Sequence, residues 1–308
     1  MAISSIFVVS DSLDVLAELC AGAKSLASQV TAIVFSDEAG AKAVAGCGAD
    51  AILFAPVSET GSPEDYAASI ADEVRKTEGA IVMVNNSIRG RALAGKIGAM
   101  LGTAVLSTVN AVEKCDDRLV FRRMVYGGTA QRKESFIKPY GVITIGSGIF
   151  EADASLPETT QISQISGSPQ AGPKCLSRNE KTEGTVNLVA SKRIVDVGRG
   201  LAAEEDLAMC HDLANAIGGE VGYSRPVAEN NKWMPKSCYM GITGVQVKPE
   251  LLIALGVSGQ VQHIGGINKS KVIVAINKDK AAPIFKNADF GLVGDMYKIV
   301  PALIQKLS

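Results

Sequence analysis

Two hydrophobic periods alternate along the first half of the chain. Short continuous apolar runs, SIFVV (5–9), TAIVF (31–35), AILFA (51–55), AIVMV (80–84) and GVITI (141–145), are separated by alanine-rich stretches with helical spacing at 12–28, 38–46, 63–77 and 88–102. A run that is apolar at every position has no face to offer water, so it suits a strand covered on both sides. Such strands alternating with helices predict βαβ units and a parallel sheet between helical layers. The stretch 105–137 breaks the rhythm: AVLSTVNAV and RLVFRRMV flank Cys115-Asp116-Asp117 and read as extended strands at an antiparallel edge.

From Glu151 to about Gly184 serine, threonine, proline and glycine dominate and apolar residues stand singly, the texture of a linker or peripheral excursion. A second α/β unit follows. NLVASKRIVDV reads as strand, EEDLAMCHDLANAIG as helix, VIVAI (272–276) as buried strand, and DMYKIVPALIQKL as a closing helix that must bend or restart at Pro301. The expected fold class is therefore α/β with two domains, each a mainly parallel sheet flanked by helices. Residues 1–187, with the linker 151–187, form the first; residues 188–308 form the second, of Rossmann-like type. At 308 residues the chain is long enough to give each its own core.

Charge and composition narrow the functional classes. The chain carries 31 basic and 32 acidic side chains, with 47% hydrophobic and 20% charged residues. A surface that seeks phosphates is distinctly basic, so no nucleic acid is expected. No apolar stretch approaches the roughly 20 residues of a membrane-crossing helix, so no membrane insertion is expected. The opening MAISSIFVVSDSLD has no basic leader and a short apolar run, which suggests a bacterial cytoplasmic protein. Six cysteines (Cys20, Cys47, Cys115, Cys175, Cys210, Cys238) show no C-x-x-C pair and sit mostly in apolar or helical surroundings, as buried reduced thiols do. Two histidines leave little material for zinc, and no metal is expected.

The densest polar punctuation lies in LIALGVSGQVQHIGGINKSKVIVAIN (252–277), where a Ser-Gly turn, Gln262-His263 and Gly265-Gly266 sit between two apolar runs. A strand, a glycine-permitted turn and a second strand suit a backbone that approaches a ligand closely. His263 lies in a polar patch that a core strand would not choose, and an imidazole pKa of about 6.5 lets it offer a proton or a charge to a ligand oxygen. A satisfied core histidine also fits that position. His211 reads as an ordinary helix residue. Upstream, Gly198-Arg199-Gly200-Leu201-Ala202-Ala203 follows KRIVDV and is taken to open a helix, with Glu220 about 20 residues on, as in a dinucleotide fingerprint. Helix amides there favour a pyrophosphate and Arg199 adds positive charge; a plain glycine turn reads the same.

Ser224-Arg225-Pro226 ends an extended segment and holds an arginine that either reaches into a cleft or pairs on the surface. Gly241-Ile242-Thr243-Gly244 sets a hydroxyl between glycines. Asn85 to Arg91 lies at the carboxyl end of AIVMV, where ligands bind, although helix capping alone accounts for it. There is no P-loop and no G-x-S-x-G.

The order of these turns resembles the electron-transfer flavoprotein alpha subunit. The stretch 252–277 is similar to that family's signature, and the likeness continues through SKRIVDVGRGL, GYSRPV, GITG, NKD and APIFKNADFGLVGD, from about Ser191 onward. The resemblance implies a non-covalent FAD. Carried over position by position, its contacts are Arg199, Ser224, Arg225, the turn Met240, Gly241, Ile242 and Thr243, the stretch Ser258, Gly259, Gln260, Val261, Gln262 and His263, then Asn277, Asp295 and Met296. Arg225 is expected over the flavin ring, His263 near its pyrimidine O2 and Thr243 near N5. Fixed donors there favour an anionic semiquinone, as they favour any developing charge.

Two positions depart from the pattern: the usual glutamine before the threonine is Ile242, and the usual tyrosine is Leu252. The implied function is an electron carrier, not a self-contained enzyme. It works as a heterodimer with a beta subunit, between a dehydrogenase of the acyl-CoA type and a quinone reductase. Two alternatives stay open: a nicotinamide-dependent oxidoreductase using Gly198–Ala203 with Glu220 on the ribose, and a flavin-less structural subunit suggested by Ile242.

Overall fold

The structure, a computed structural model, describes residues 4–307 except 116–117, 127–128, 147, 171, 178–185, 232 and 235–237. The chain divides into two compact units, residues 1–126 with 130–179, and residues 180–308 with 127–129.

The first unit strings together β1 (Ser5–Ser10), α1 (Leu16–Leu26), β2 (Gln29–Val34), α2 (Glu38–Ala43), β3 (Ala51–Phe54), α3 (Ala67–Arg75), β4 (Ala80–Asn85), α4 (Ile88–Leu101), β5 (Val105–Cys115), β6 (Arg118–Val125), β7 (Ala130–Glu134), β8 (Gly141–Ile145) and β9 (Ile162–Gln164). Nine strands make one sheet in the order β7-β6-β5-β8-β4-β1-β2-β3-β9. Only β5–β6 and β6–β7 pair antiparallel, which is the edge expected for 105–137. In β1, β4 and β8 every residue is buried, because helices cover both faces. Ile6 and Val8 pack with Leu16 and Leu19 of α1 on one face; Phe7 and Val9 pack with Ile70, Leu93 and Ile97 on the other.

The stretch expected to be a linker contributes structure. Its Ile162–Gln164 pairs parallel with β3, and Ile165 is buried in the core. Single apolar residues among polar ones suffice here, because a three-residue edge strand needs only one anchor against the sheet.

The second unit contains β10 (Arg193–Val197), α5 (Leu207–Ile217), β11 (Glu220–Tyr223), β12 (Leu251–Leu255), α6 (Val261–Ile267), β13 (Val272–Asn277), β14 (Phe290–Val293) and α7 (Met296–Leu307). Its five strands are all parallel, in the order β11-β10-β12-β13-β14. One core of apolar residues runs from Ile194 and Val195 through Leu213, Leu252 and Ile253 to Val300. At the β14 edge all four residues are exposed. Of the bend or restart expected at Pro301, the restart does not occur: helix α7 is continuous through it. Proline forfeits one helical hydrogen bond, and the burial of Met296 and Val300, with Leu303 and Ile304 packed against the core, holds the helix together. Among the described residues, no helix is long and apolar enough to cross a membrane.

Candidate functional site

The chain leaves β10 toward β11 on one side and returns to β12 on the other, so the strand order reverses between β10 and β12. In open parallel sheets that point, at the carboxyl ends of the strands, is where ligands bind. Here it is floored with bare backbone. Gly198 follows β10 and donates to the Leu255 carbonyl at 2.8 Å; Gly200 donates to the Gly256 carbonyl at 3.0 Å. A Cβ on Gly198 would lie 2.3 Å from that same carbonyl oxygen, and one on Gly200 2.7 Å from the Gly256 Cα. Gly256 itself has φ +62°, in the left-handed region that glycine occupies freely.

Every residue carried over from the resemblance belongs to this edge or to the turn packed on it. Arg199 is exposed on the turn after β10, and Ser224 and Arg225 follow β11. The stretch from Ser258 enters α6 after β12, Asn277 ends β13, and Asp295 and Met296 join β14 to α7. The Asn277 amide donates to the Val257 carbonyl at 2.8 Å and so fixes the Ser258 loop. Asp295 accepts from the Tyr297 amide at 3.0 Å and stabilises the start of α7.

The Met240–Thr243 turn is docked on α6. The Ile242 amide donates to the Gln262 carbonyl at 2.8 Å, and Met240 donates to the Tyr223 carbonyl at 2.8 Å. Ile242 is exposed and lies over Gly265, where a Cβ would meet its Cγ1 at 2.5 Å. Gly266 is equally required, since a Cβ there would lie 2.4 Å from the Gly241 nitrogen. The Thr243 hydroxyl bonds Tyr239 Oη.

Two features fit a bound cofactor. Ser224 Oγ is buried and has no hydrogen-bond partner among the described residues. The amides of Ser258, Gly259, Gln260, Val261 and Gln262 likewise donate to no acceptor among the described residues, as expected of a loop entering the first turn of a helix. Arg225 is exposed and pairs with Glu229 at 2.5 Å.

The dinucleotide reading of Gly198–Ala203 does not survive. No helix opens there, because α5 starts only at Leu207. The Ala202 amide donates to Tyr297 Oη at 2.8 Å and the Ala203 amide to Asp206 Oδ2 at 3.1 Å, so neither is free for a phosphate. Glu220 opens β11 opposite Ile194, whereas the glycines follow Val197 at the other end of the strands. At about 3.3 Å per residue that separation is roughly 10 Å, too far for one ribose to reach both.

In the first unit, Asn85 Nδ2 donates to Asp11 Oδ1 at 2.5 Å, Ser87 Oγ donates to Asp11 Oδ2 at 2.8 Å, and Ser87 caps α4 by accepting from the Gly90 amide at 2.7 Å. Capping by Ser87 and the bonds of Asn85 to Asp11 and of Asn86 to Thr144 thus engage the polar residues that open that turn. Arg89 borders a cavity of about 800 Å³ shared with Asp11 and Glu59.

One residue at the site was not read from the sequence. Asp196, on β10 and fully buried, meets His263 with 2.6 Å between Oδ2 and Nε2, and His263 Nδ1 stands 3.1 Å from the Met240 carbonyl oxygen. Burial alone pushes the imidazole pKa down; the charge and hydrogen bond of Asp196 and the Met240 carbonyl outweigh it, and the net direction is up. The signal was present: an aspartate inside a strand that reads as buried must have a partner.

A second unit with this strand order and a ligand edge at its reversal is a doubly wound cofactor-binding domain. Residues 187–268 match the electron transfer flavoprotein FAD-binding domain, and residues 12–170 match the electron transfer flavoprotein domain. YdiR of Escherichia coli (strain K12), named provisionally as an electron transfer flavoprotein subunit, is 40% identical over 311 residues, covering 99% of each chain. Protein FixB of Escherichia coli O157:H7 and of Shigella flexneri are each 40% identical over 316 residues, covering 99% of this chain and 98% of theirs. The chain belongs to the electron transfer flavoprotein family, as an alpha-type subunit whose cofactor is FAD.

Proposed function

We propose that this subunit takes electrons singly from a dehydrogenase of the acyl-CoA type and passes them toward a quinone reductase, as a heterodimer with a beta subunit. The observation that carries the reading is the convergence at the β10–β14 edge. Residues spread from Arg199 to Met296 come to one edge of the sheet, over glycines packed backbone against backbone.

When bound, the isoalloxazine supplies a centre that gains and loses one electron at a time. The chain's own groups have separate tasks. Gly198, Gly200 and Gly256 let the two strand ends close on each other beneath the cofactor. The amides of Ser258 through Gln262 are offered to anionic oxygens, as is the Ser224 hydroxyl. Arg225, released from Glu229, and His263 supply positive charge, while Thr243 is held by Tyr239. Arg199, Met240, Gly241, Ile242, Asn277, Asp295 and Met296 complete the wall.

The test is the visible absorption spectrum of the chain co-purified with its candidate beta subunit, followed by stepwise reduction. Flavin bands that pass through a one-electron-reduced form support the carrier reading. A flavin that is reduced only by two electrons, or a preparation that retains NAD in place of FAD, overturns it.

A further inference from the structure

Both ring nitrogens of His263 are committed inside the protein. A carbonyl oxygen only accepts, so Nδ1 facing Met240 carries a hydrogen; a carboxylate also accepts, so Nε2 facing Asp196 carries another. A ring with hydrogens on both nitrogens is an imidazolium. The side chains of His263 and Asp196 are 10% and 0% exposed.

The seat of the pair is built for it. In register with Asp196, the neighbouring strands place Gly222 of β11 and Ala254 of β12, the two smallest residue types, on the same face. The space over Gly222 is taken by Met240, since a Cβ there would lie 2.7 Å from the Met240 Cε. The same Met240 offers its carbonyl to Nδ1, so one residue closes the niche and holds the ring.

Other ionisable groups on the adjoining elements have their own partners. Tyr239 bonds Thr243, Tyr223 Oη lies 3.4 Å from His211 Nε2, and Arg225 pairs with Glu229. Apart from His263 itself, helix α6 carries no ionisable residue, and Arg199 is exposed. Asp196 is thus the ionisable group that bonds the ring.

We propose that Asp196 is a positioning residue for the flavin: it locks the His263 ring onto protein acceptors, so that the ring meets the cofactor as a preset cation that neither donates a hydrogen bond to it nor changes protonation when it is reduced. This rests on the FAD reading above and alters one part of it, since His263 then acts by charge and not by a bond to a flavin oxygen. A fixed charge needs no reorganisation when the electron arrives.

The experiment is nitrogen NMR of the full chain labelled in its two histidines, with His211→Asn to assign the signals, recorded with and without FAD and its partner. The expected result is that both His263 nitrogens stay protonated from pH 6 to pH 8 and keep their shifts on full reduction. In Asp196→Asn one nitrogen becomes unprotonated at pH 8, and over that range the flavin midpoint potential depends on pH more steeply than in the wild type, whose only dependence is that of the flavin's own proton uptake.

A wild-type ring that is neutral at pH 7, whether by ordinary titration or because the proton rests on Asp196, overturns the proposal. So does a pH dependence of the potential that is equal in wild type and Asp196→Asn. If Asp196→Asn does not fold, the wild-type titration alone decides. A chain that binds no FAD yet keeps both ring protons defeats the flavin reading and leaves the locked pair standing.

Discussion

Gly200 and Gly256 touch through backbone alone: a methyl placed on either would lie 2.7 Å from the other's Cα. Two strand ends can approach so closely at the sheet's reversal only because neither residue has a side chain. Gly256 adds a left-handed backbone that an alanine adopts at a cost of about 1 kcal/mol or more. Gly256→Ala is expected to destabilise the second unit by about 2–4 kcal/mol, strain and clash together, and to abolish FAD retention. Urea unfolding and the flavin-to-protein absorbance ratio measure the two effects.

Ser224→Ala separates cofactor binding from folding. Its Oγ is buried with no partner among the described residues, so removing it costs the apo-chain no internal hydrogen bond. Apo stability is expected within about 0.5 kcal/mol of wild type, while FAD binding weakens by about 0.5–1.5 kcal/mol, or roughly 2- to 12-fold. Fluorescence titration with FAD beside thermal unfolding makes the comparison. Equal affinity in both proteins removes Ser224 from the cofactor's surroundings.

Arg225→Ala tests charge at the ring. Arg225 is exposed and its pairing with Glu229 is a surface contact, of the kind that adds little to stability. The melting temperature should stay nearly constant and most FAD should remain bound. The yield of one-electron-reduced flavin in a reductive titration should fall. An unchanged yield takes the assigned role away from Arg225.

The buried pair makes stability depend on pH with a definite sign. The folded His263 holds its proton more tightly than an unfolded histidine, whose pKa is about 6.5. Its contribution is therefore complete below that value and is lost as pH rises through the folded pKa. The stability gap between wild type and Asp196→Asn should be widest near about pH 6 and narrow toward about pH 9. Urea unfolding of both proteins across that range checks it; a gap that widens with pH contradicts the assignment.

The strands of the first unit were legible because burial on both faces leaves unbroken apolar runs, as at 5–9 and 80–84. Three elements were not. Helix α6 has seven residues, two of them glycine, and too few turns to display a period. Strand β14 is exposed at all four positions, and β9 is three residues long in a polar stretch, so neither alternates nor forms a run. The site loops stood out through glycine and histidine, but it was the family likeness that ordered them into a cofactor list. Asp196 escaped because RIVDV was read for its apolar character, and its partner lies 67 residues further on.

That separation hides an asymmetry in how the site can change over generations. Losing His263 first leaves a buried carboxylate without its charge partner, a loss of about 3–5 kcal/mol that few domains of ordinary stability tolerate. Losing Asp196 first leaves an imidazole that can shed its proton, keep one hydrogen for the Met240 carbonyl and remain neutral.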